Sequence, residues 1–250
     1  MVNIFRPKPD AEEQLFFPFG PVMGYKKLSA KFVADMNAYF DKDVASMTDY
    51  SDQLVGKVKQ ELFFTDEMRD TFLNEIKQFV GSYNNTATIR NSYGQNMLDT
   101  EKNNYSVQFI SGWMVRQFEN DYNPLHLHTG CRMSCVGYLK LPDGIDSEWE
   151  EDYKDHHPSH GHIQFVHGTA STYSATNFMV KPQVGDFYLF PSELFHCVYP
   201  FKTKGERRSF SVNFNFLEIP KKVEQENDGT IKASVGGQEG GQTSETYLRR

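Results

Sequence analysis

The stretch Gly185-Asp186-Phe187-Tyr188-Leu189-Phe190-Pro191-Ser192-Glu193-Leu194-Phe195-His196-Cys197-Val198 decides the reading of this chain. Asp186–Phe190 is a short apolar, aromatic run, entered through the turn residues Gln183-Val184-Gly185 and left through Pro191-Ser192, which predicts a buried strand. Working outward, the same texture recurs. Tyr105, Val107 and Phe109 alternate with polar neighbours, and Trp113, Val115 and Gln117 follow. Further strand-like runs are Cys135–Leu141, His162–Val166, Asn177–Val180, Val198–Phe201 and Ser209–Leu217. Turn signals at Pro142-Asp143-Gly144, Pro158-Ser159-His160-Gly161 and Lys204-Gly205 separate them. Short strands at this spacing without intervening helices predict an antiparallel sandwich or barrel.

Upstream the period changes. Residues 1–20 are rich in Pro and Phe and suit an extended arm or a first strand. Phe32, Val33, Met36 and Phe40 recur at helical spacing behind Ser29, a candidate N-cap. A second helix is expected over Asp52 to Phe63. A third is expected to open at Thr65 and stop at Gly81, with Met68, Phe72, Leu73, Ile76, Phe79 and Val80 as its apolar stripe. The domain reading is therefore 1–100 as arm and supporting helices, 101–220 as the β core, and 221–250 as a polar, Gly-rich tail with little to bury.

Composition narrows the classes of function. The net charge of −7 and pI near 5.6 disfavour nucleic acid or an anionic membrane as partner, because neutralising phosphates is the main source of such affinity. No apolar run approaches the ~20 residues that span a bilayer, and the N-terminus does not read as a secretory signal. Cys131, Cys135 and Cys197 are an odd set that needs no disulfide, as expected for a cytoplasmic protein. Oligomeric state is not legible.

Three features carry chemistry. Asn123-Pro124-Leu125-His126-Leu127-His128 places two histidines at i and i+2, which on a strand face the same side and can meet one ion. His196 follows a turn in the quoted stretch. In Arg207-Arg208-Ser209 the residues Arg207, Ser209, Ser211 and Asn213 share one strand face, and an arginine with a hydroxyl at i+2 can grip one carboxylate. A second His-x-His, His160-Gly161-His162, follows His156, His157 and Pro158; with Pro158 and Gly161 it reads as a solvated loop, the alternative being a lid over the active site.

The order of these features, with Cys135-Val136-Gly137-Tyr138-Leu139-Lys140-Leu141-Pro142 and Gly185–Ser192, resembles the 2-oxoglutarate- and iron(II)-dependent oxygenases. It is most similar to a His-x-His branch that includes phage-encoded, prolyl-hydroxylase-like members. The resemblance covers about Tyr105 to Leu217. It implies a double-stranded β-helix (a jelly roll, cupin-like) packed against the N-terminal helices, mainly β overall. It implies iron(II) held by His126, His128 and His196, and 2-oxoglutarate anchored by Arg207 and Ser209 with a hydrogen bond from Tyr138. Dioxygen would be the second co-substrate, ascorbate a supporting reductant, and a peptidyl (prolyl included) or amino-acid C–H bond the target of hydroxylation. Most relatives carry a carboxylate where His128 stands. Either three histidines form the site, the favoured reading, or Glu119 or Asp121 completes it. Two rival readings are a three-histidine cupin dioxygenase that needs no 2-oxoglutarate, and a non-catalytic metal-binding jelly roll. Residues that choose the substrate are expected on the 143–176 insertion and the N-terminal helices.

Overall fold

A computed structural model describes residues 4–5, 11–16, 20–91, 103–150, 159–172, 175–221, 223–225 and 231–233. The early elements are strands β1 (Ile4–Phe5), β2 (Glu13–Phe16) and β3 (Met23–Lys27), helix α1 (Ala30–Asp43), strand β4 (Gln60–Phe63) and helix α2 (Asp66–Asn91). Then come β5 (Asn103–Gln117), β6 (Asn123–His126), β7 (Met133–Lys140), β8 (Ile163–Val166) and β9 (Asn177–Val180). They are followed by β10 (Asp186–Pro191), β11 (Phe195–Val198), β12 (Arg207–Pro220), β13 (Val223–Gln225) and β14 (Ile231–Ala233).

Two sheets carry the core. The larger has the order β2-β3-β10-β7-β12-β5-β4 and the smaller β1-β9-β8-β11-β6. Between β5 and β12 the chain crosses back and forth between the sheets, pairing antiparallel at each return. This interleaving is the double-stranded β-helix, a jelly roll in which each sheet covers the inner face of the other.

Period-two alternation explains why the larger sheet is buried on both faces. Phe187 and Leu189 of β10, Cys135 and Leu139 of β7, and Phe210, Val212 and Phe214 of β12 pack outward against Phe32, Met36 and Phe40 of α1 and Met68, Phe72, Ile76 and Phe79 of α2. Tyr188, Phe190, Val136 and Tyr138 turn inward, onto Ile163, Phe165 and Phe178 of the smaller sheet. Strand β12 departs from this pattern. Its inward residues are Arg207, Ser209, Ser211 and Asn213, which line an internal cavity. Four polar side chains facing the inside of a central strand forgo apolar burial, so they mark where the barrel holds something polar. Arg208 points the other way and ties the barrel to α1, donating to Asn37 Oδ1 (2.9 Å) and Asp41 Oδ1 (2.7 Å).

The outward face tolerates no extra volume at Gly137. A Cβ there would lie 2.2 Å from Cζ of the fully buried Phe210 ring, its partner across the ladder. Gly137→Ala is expected to cost about 3 kcal/mol by overpacking, lowering the melting midpoint by roughly 6–12 °C. Thermal denaturation followed by circular dichroism measures it, and an unchanged midpoint would show that the ring moves aside freely.

Ser29 caps α1, accepting from Phe32 N (3.1 Å), and Thr65 accepts from Met68 N (3.3 Å) at the start of α2. Several local expectations are corrected. No helix spans Asp52 to Phe63: a single 3-10 turn at Ser51–Gln53 is followed by edge strand β4, paired with β5. Gly56 breaks helical continuity with φ +147°, and its close approach to Tyr122 leaves no room for a Cβ. Gly81 does not stop α2, because Tyr83, anchored through its hydroxyl to Val22 O (2.8 Å), prolongs the buried stripe beyond it. The strand expected at Val198–Phe201 lies instead at Phe195–Val198, which puts His196 inside it. In the tail, β13 pairs with β14; the rest of the expected flexible tail beyond Lys221 lies outside the described residues. No helix among the described residues is long and apolar enough to cross a membrane.

Candidate metal centre and anion site

Strands β6 and β11 lie side by side with His126 and His196 directly opposite in register. Their rings approach to 4.2 Å between centroids. His128 lies two residues past the end of β6, where its N–H donates to Ser192 O (2.9 Å) and its ring stacks on His196 at 5.1 Å. One ring nitrogen from each of the three lies within 4.8 Å of the others, and Nε2 of His128 is 3.2 Å from Nε2 of His196. Ligands about 2.0–2.1 Å from a common ion stand roughly this far apart.

The local backbone sets the tautomers. Nδ1 of His126 is 2.7 Å from Pro124 O and Nδ1 of His196 is 2.8 Å from Leu194 O. A carbonyl only accepts, so each Nδ1 carries the proton and each Nε2 presents a lone pair. Burial, reinforced by the His126 charge, pushes His128 down to about 4. Burial first, then His126 and His128, holds His196 well below the usual imidazole range, and burial also lowers His126. All three are neutral at pH 7, the form that binds a metal. Donor chemistry, tautomer and spacing therefore fit a divalent transition metal.

The carboxylate alternatives do not join this group. Asp121 Oδ2 accepts from Phe118 N (2.9 Å) and Lys59 N (3.1 Å), closing the turn after β5, and Glu119 is exposed. The second His-x-His is also separate, but it is not solvated as expected. His162 is 2% exposed, packs on Trp149, and shares its Nδ1 proton with His160 O (2.9 Å); His160 Nδ1 lies 3.2 Å from Glu148 Oε2. The turn is folded into the barrel mouth because Gly161 O is needed there, as an acceptor for Arg207 Nη1 (3.0 Å). His156 and His157 lie outside the described residues.

Arg207 is 1% exposed and makes no ion pair among the described residues. Its neighbour Glu206 is engaged by Arg116, Lys140 and Arg208 instead. The guanidinium lies over the Tyr138 ring, 5.1 Å from its centroid, and Nε of Arg207 and the hydroxyl of Tyr138 are both buried without a hydrogen-bond partner. A buried cation lacking a counter-charge is costly, and a bound carboxylate offsets that cost. Ser209 lies two residues on, on the same face. Tyr138 does not line the cavity; it stands behind the guanidinium and orients it. The cavity, about 330 Å³, is bordered by the three histidines and by Arg207 and Ser209, large enough for a small dicarboxylate beside a metal.

Residues 111–213 match the model of the family described as "Putative 2OG-Fe(II) oxygenase". That segment is similar to the 2OG-Fe(II) oxygenase family. It runs from the middle of β5 to the middle of β12 and contains all three histidines, Arg207 and Ser209. The chain is similar to several solved structures. With a Pseudomonas putida prolyl-4-hydroxylase it shares 16% identity over 77% of this chain and 91% of that one, at a TM-score of 0.48. With an oxidoreductase of the 2OG-Fe(II) oxygenase family from Burkholderia pseudomallei it shares 12% over 86% and 94%, at 0.46. A prolyl hydroxylase from Trichoplax adhaerens, solved with a hypoxia-inducible-factor peptide fragment, gives 12% over 81% and 83%, also at 0.46. No curated protein matches the chain.

The cavity is walled partly from the segment between α1 and β5. Tyr50, Leu54, Val55 and Glu61, from the connector after α1 and from β4, border it together with Trp113, Gln117 and Asn123. Helices α1 and α2 pack on the far face of the larger sheet, and Leu54, Val55 and Glu61, which border the cavity, lie in the 52–63 segment expected to be helical. Of the 143–176 insertion, Ile163 alone among the described residues borders the cavity. Gln117 Nε2 donates to Asn123 Oδ1 (2.9 Å), and Asn123 Nδ2 donates to Val55 O (2.7 Å), clamping the connector over the site.

Glu61 is 4% exposed, and burial, opposed by Asn123 and aided by Asp49, raises its pKa to about 7. An acid whose folded pKa lies above its unfolded value binds protons more tightly when folded. Stability is then full below about 4.5 and falls as pH rises towards 7, by at most about 3 kcal/mol. Glu61→Gln is expected to flatten this slope, matching wild type at pH 5 and exceeding it at pH 8. Urea denaturation of the metal-free protein at both values checks the sign; a variant less stable at pH 8 contradicts it.

Proposed function

We propose that this chain is a 2-oxoglutarate- and iron(II)-dependent dioxygenase that hydroxylates a C–H bond of a peptidyl side chain, prolyl included, or of a free amino acid. The observation that carries this reading is the pairing, in one cavity, of three neutral convergent imidazoles with a buried guanidinium that lacks a counter-charge. His126, His128 and His196 would hold the metal and leave coordination positions open on the cavity side. Arg207 and Ser209 would hold the distal carboxylate of 2-oxoglutarate, with Tyr138 keeping the guanidinium in place. Iron(II) supplies the oxidative chemistry when bound: 2-oxoglutarate and dioxygen are consumed, succinate and carbon dioxide leave, and one oxygen atom enters the substrate. The aromatic walls, Trp113 and Phe190 among them, keep bulk water from the reacting centre. Residues 101–220 act as catalytic core in this reading, with 1–100 as support and 221–250 as a tail. Ascorbate would keep the iron reduced, and the free thiols of Cys131, Cys135 and Cys197 suit a reducing cytoplasm.

A metal-dependent dioxygenase without 2-oxoglutarate would have no use for Arg207, which is why that rival is set aside. The test is incubation with iron(II), ascorbate and labelled 2-oxoglutarate in air. Succinate is expected, and an anaerobic titration with 2-oxoglutarate should develop a visible charge-transfer band. Iron-loaded protein that yields neither overturns the proposal.

A further inference from the structure

The cavity is bordered by a buried guanidinium and a buried carboxyl group that form no ion pair with each other. Arg207 is matched by the co-substrate carboxylate on the reading above; Glu61 is left over. It projects inward from β4, opposite Val115 in the ladder, and no lysine or arginine among the described residues pairs with it. Two residues along the same strand face, Phe63 packs against Tyr50 with the rings tilted, at 4.0 Å between centroids. Tyr50 in turn meets Trp113 edge-on at 5.5 Å. Tyr50 N donates to the main-chain carbonyl of Glu61 (2.7 Å), which ties the connector to β4 at this point. Tyr50, Trp113 and Glu61 all border the cavity, and Trp113 also lies against His128, 5.7 Å away.

A carboxyl group and two aromatic rings bordering one cavity are the chemistry that recognises an organic cation. The rings attract an ammonium through their quadrupoles, and the carboxylate supplies the counter-charge and a hydrogen-bond acceptor. A carboxylate or phosphate in this position would meet like charge and is rejected. We propose that Glu61, with Tyr50 and Trp113, is the substrate-recognition subsite and binds a protonated amine of the primary substrate. This rests on the dioxygenase reading and narrows its substrate to amine-bearing compounds, with the bond to be hydroxylated held towards the histidines by that anchor. Glu61 is a specificity residue here, not a catalytic one.

Two measurements test it separately from the reaction itself. Zinc-loaded protein with 2-oxoglutarate is titrated with n-butylammonium chloride, and with sodium butyrate and n-butanol as controls, following tryptophan fluorescence. Saturable binding of the ammonium alone is expected, weakened at least tenfold in Glu61→Gln and also in Tyr50→Leu, which guards against a folding defect in either variant. Equal binding by the variants, or preference for butyrate, overturns the proposal. In the second, iron-loaded protein is given free amino acids and their N-acetyl derivatives. Faster succinate release with the free amines only is expected, with KM rising more than kcat falls in Glu61→Gln. Stimulation by both sets equally also overturns the subsite. Absence of succinate under every condition instead removes the dioxygenase reading, while the ammonium titration still decides the role of Glu61.

Discussion

His196→Ala is expected to lower affinity for iron(II) at least ~100-fold and to abolish succinate formation. His196 is the middle of the cluster: it faces His126 across the β6–β11 ladder and stacks on His128. Removing it takes away a third of the donor set and the only ligand placed inside a strand by hydrogen bonds on both sides. Loss of a metal-orienting group one step further out already costs 10–100-fold in typical sites, so a direct ligand costs more. Metal content after dialysis measures the loss, with circular dichroism to confirm that the metal-free fold survives. His128→Asp is the informative companion. It restores a carboxylate at that position, so it should retain iron while weakening copper and nickel, which favour nitrogen donors. Undiminished iron binding by His196→Ala would remove the metal site from this cluster.

Arg207→Met is expected to raise the dissociation constant for 2-oxoglutarate about 100-fold, close to 3 kcal/mol. Methionine keeps an apolar stem over Tyr138 but removes every donor to the carboxylate. The protein without co-substrate should lose little stability, because the substitution also removes a buried charge that has no counter-ion. That combination separates a binding arginine from a structural one, whose removal would unfold the barrel and leave no clean titration. Arg208→Met gives the contrast. Its bonds go to Asn37, Asp41 and Glu206 on the helix side, so it should cost stability and leave 2-oxoglutarate affinity unchanged. The charge-transfer band of the anaerobic iron form reads both variants. Unaltered 2-oxoglutarate affinity in Arg207→Met would separate the cavity from its assigned co-substrate.

The strands with strict alternation were legible to within a few residues at each end. In β10 and β12 one face is apolar and the other aromatic or polar, and a period of two admits a single register against a buried face. The connector after α1 was not. Leu54, Val55 and Val58 mimic a helical stripe, but edge pairing of β4 with β5 and the positive φ of Gly56 override it. The positions of His126, His128 and His196 could be marked as ligand types, yet convergence depends on β6 and β11 being neighbours, a pairing between segments some seventy residues apart.

By itself the sequence determined the strand pattern, the shared face of Arg207, Ser209, Ser211 and Asn213 and the same-side placement of His126 and His128, because each of these is written in spacings of two along one segment. Only the tertiary structure decided that Asp121 closes a turn instead of joining the metal group, that Gly161 supports Arg207, that Tyr138 stands behind the guanidinium, and that Glu61 faces the same cavity. Those assignments depend on which strands lie side by side and on what each buried charge finds opposite it, and neither quantity is a property of any one stretch of chain.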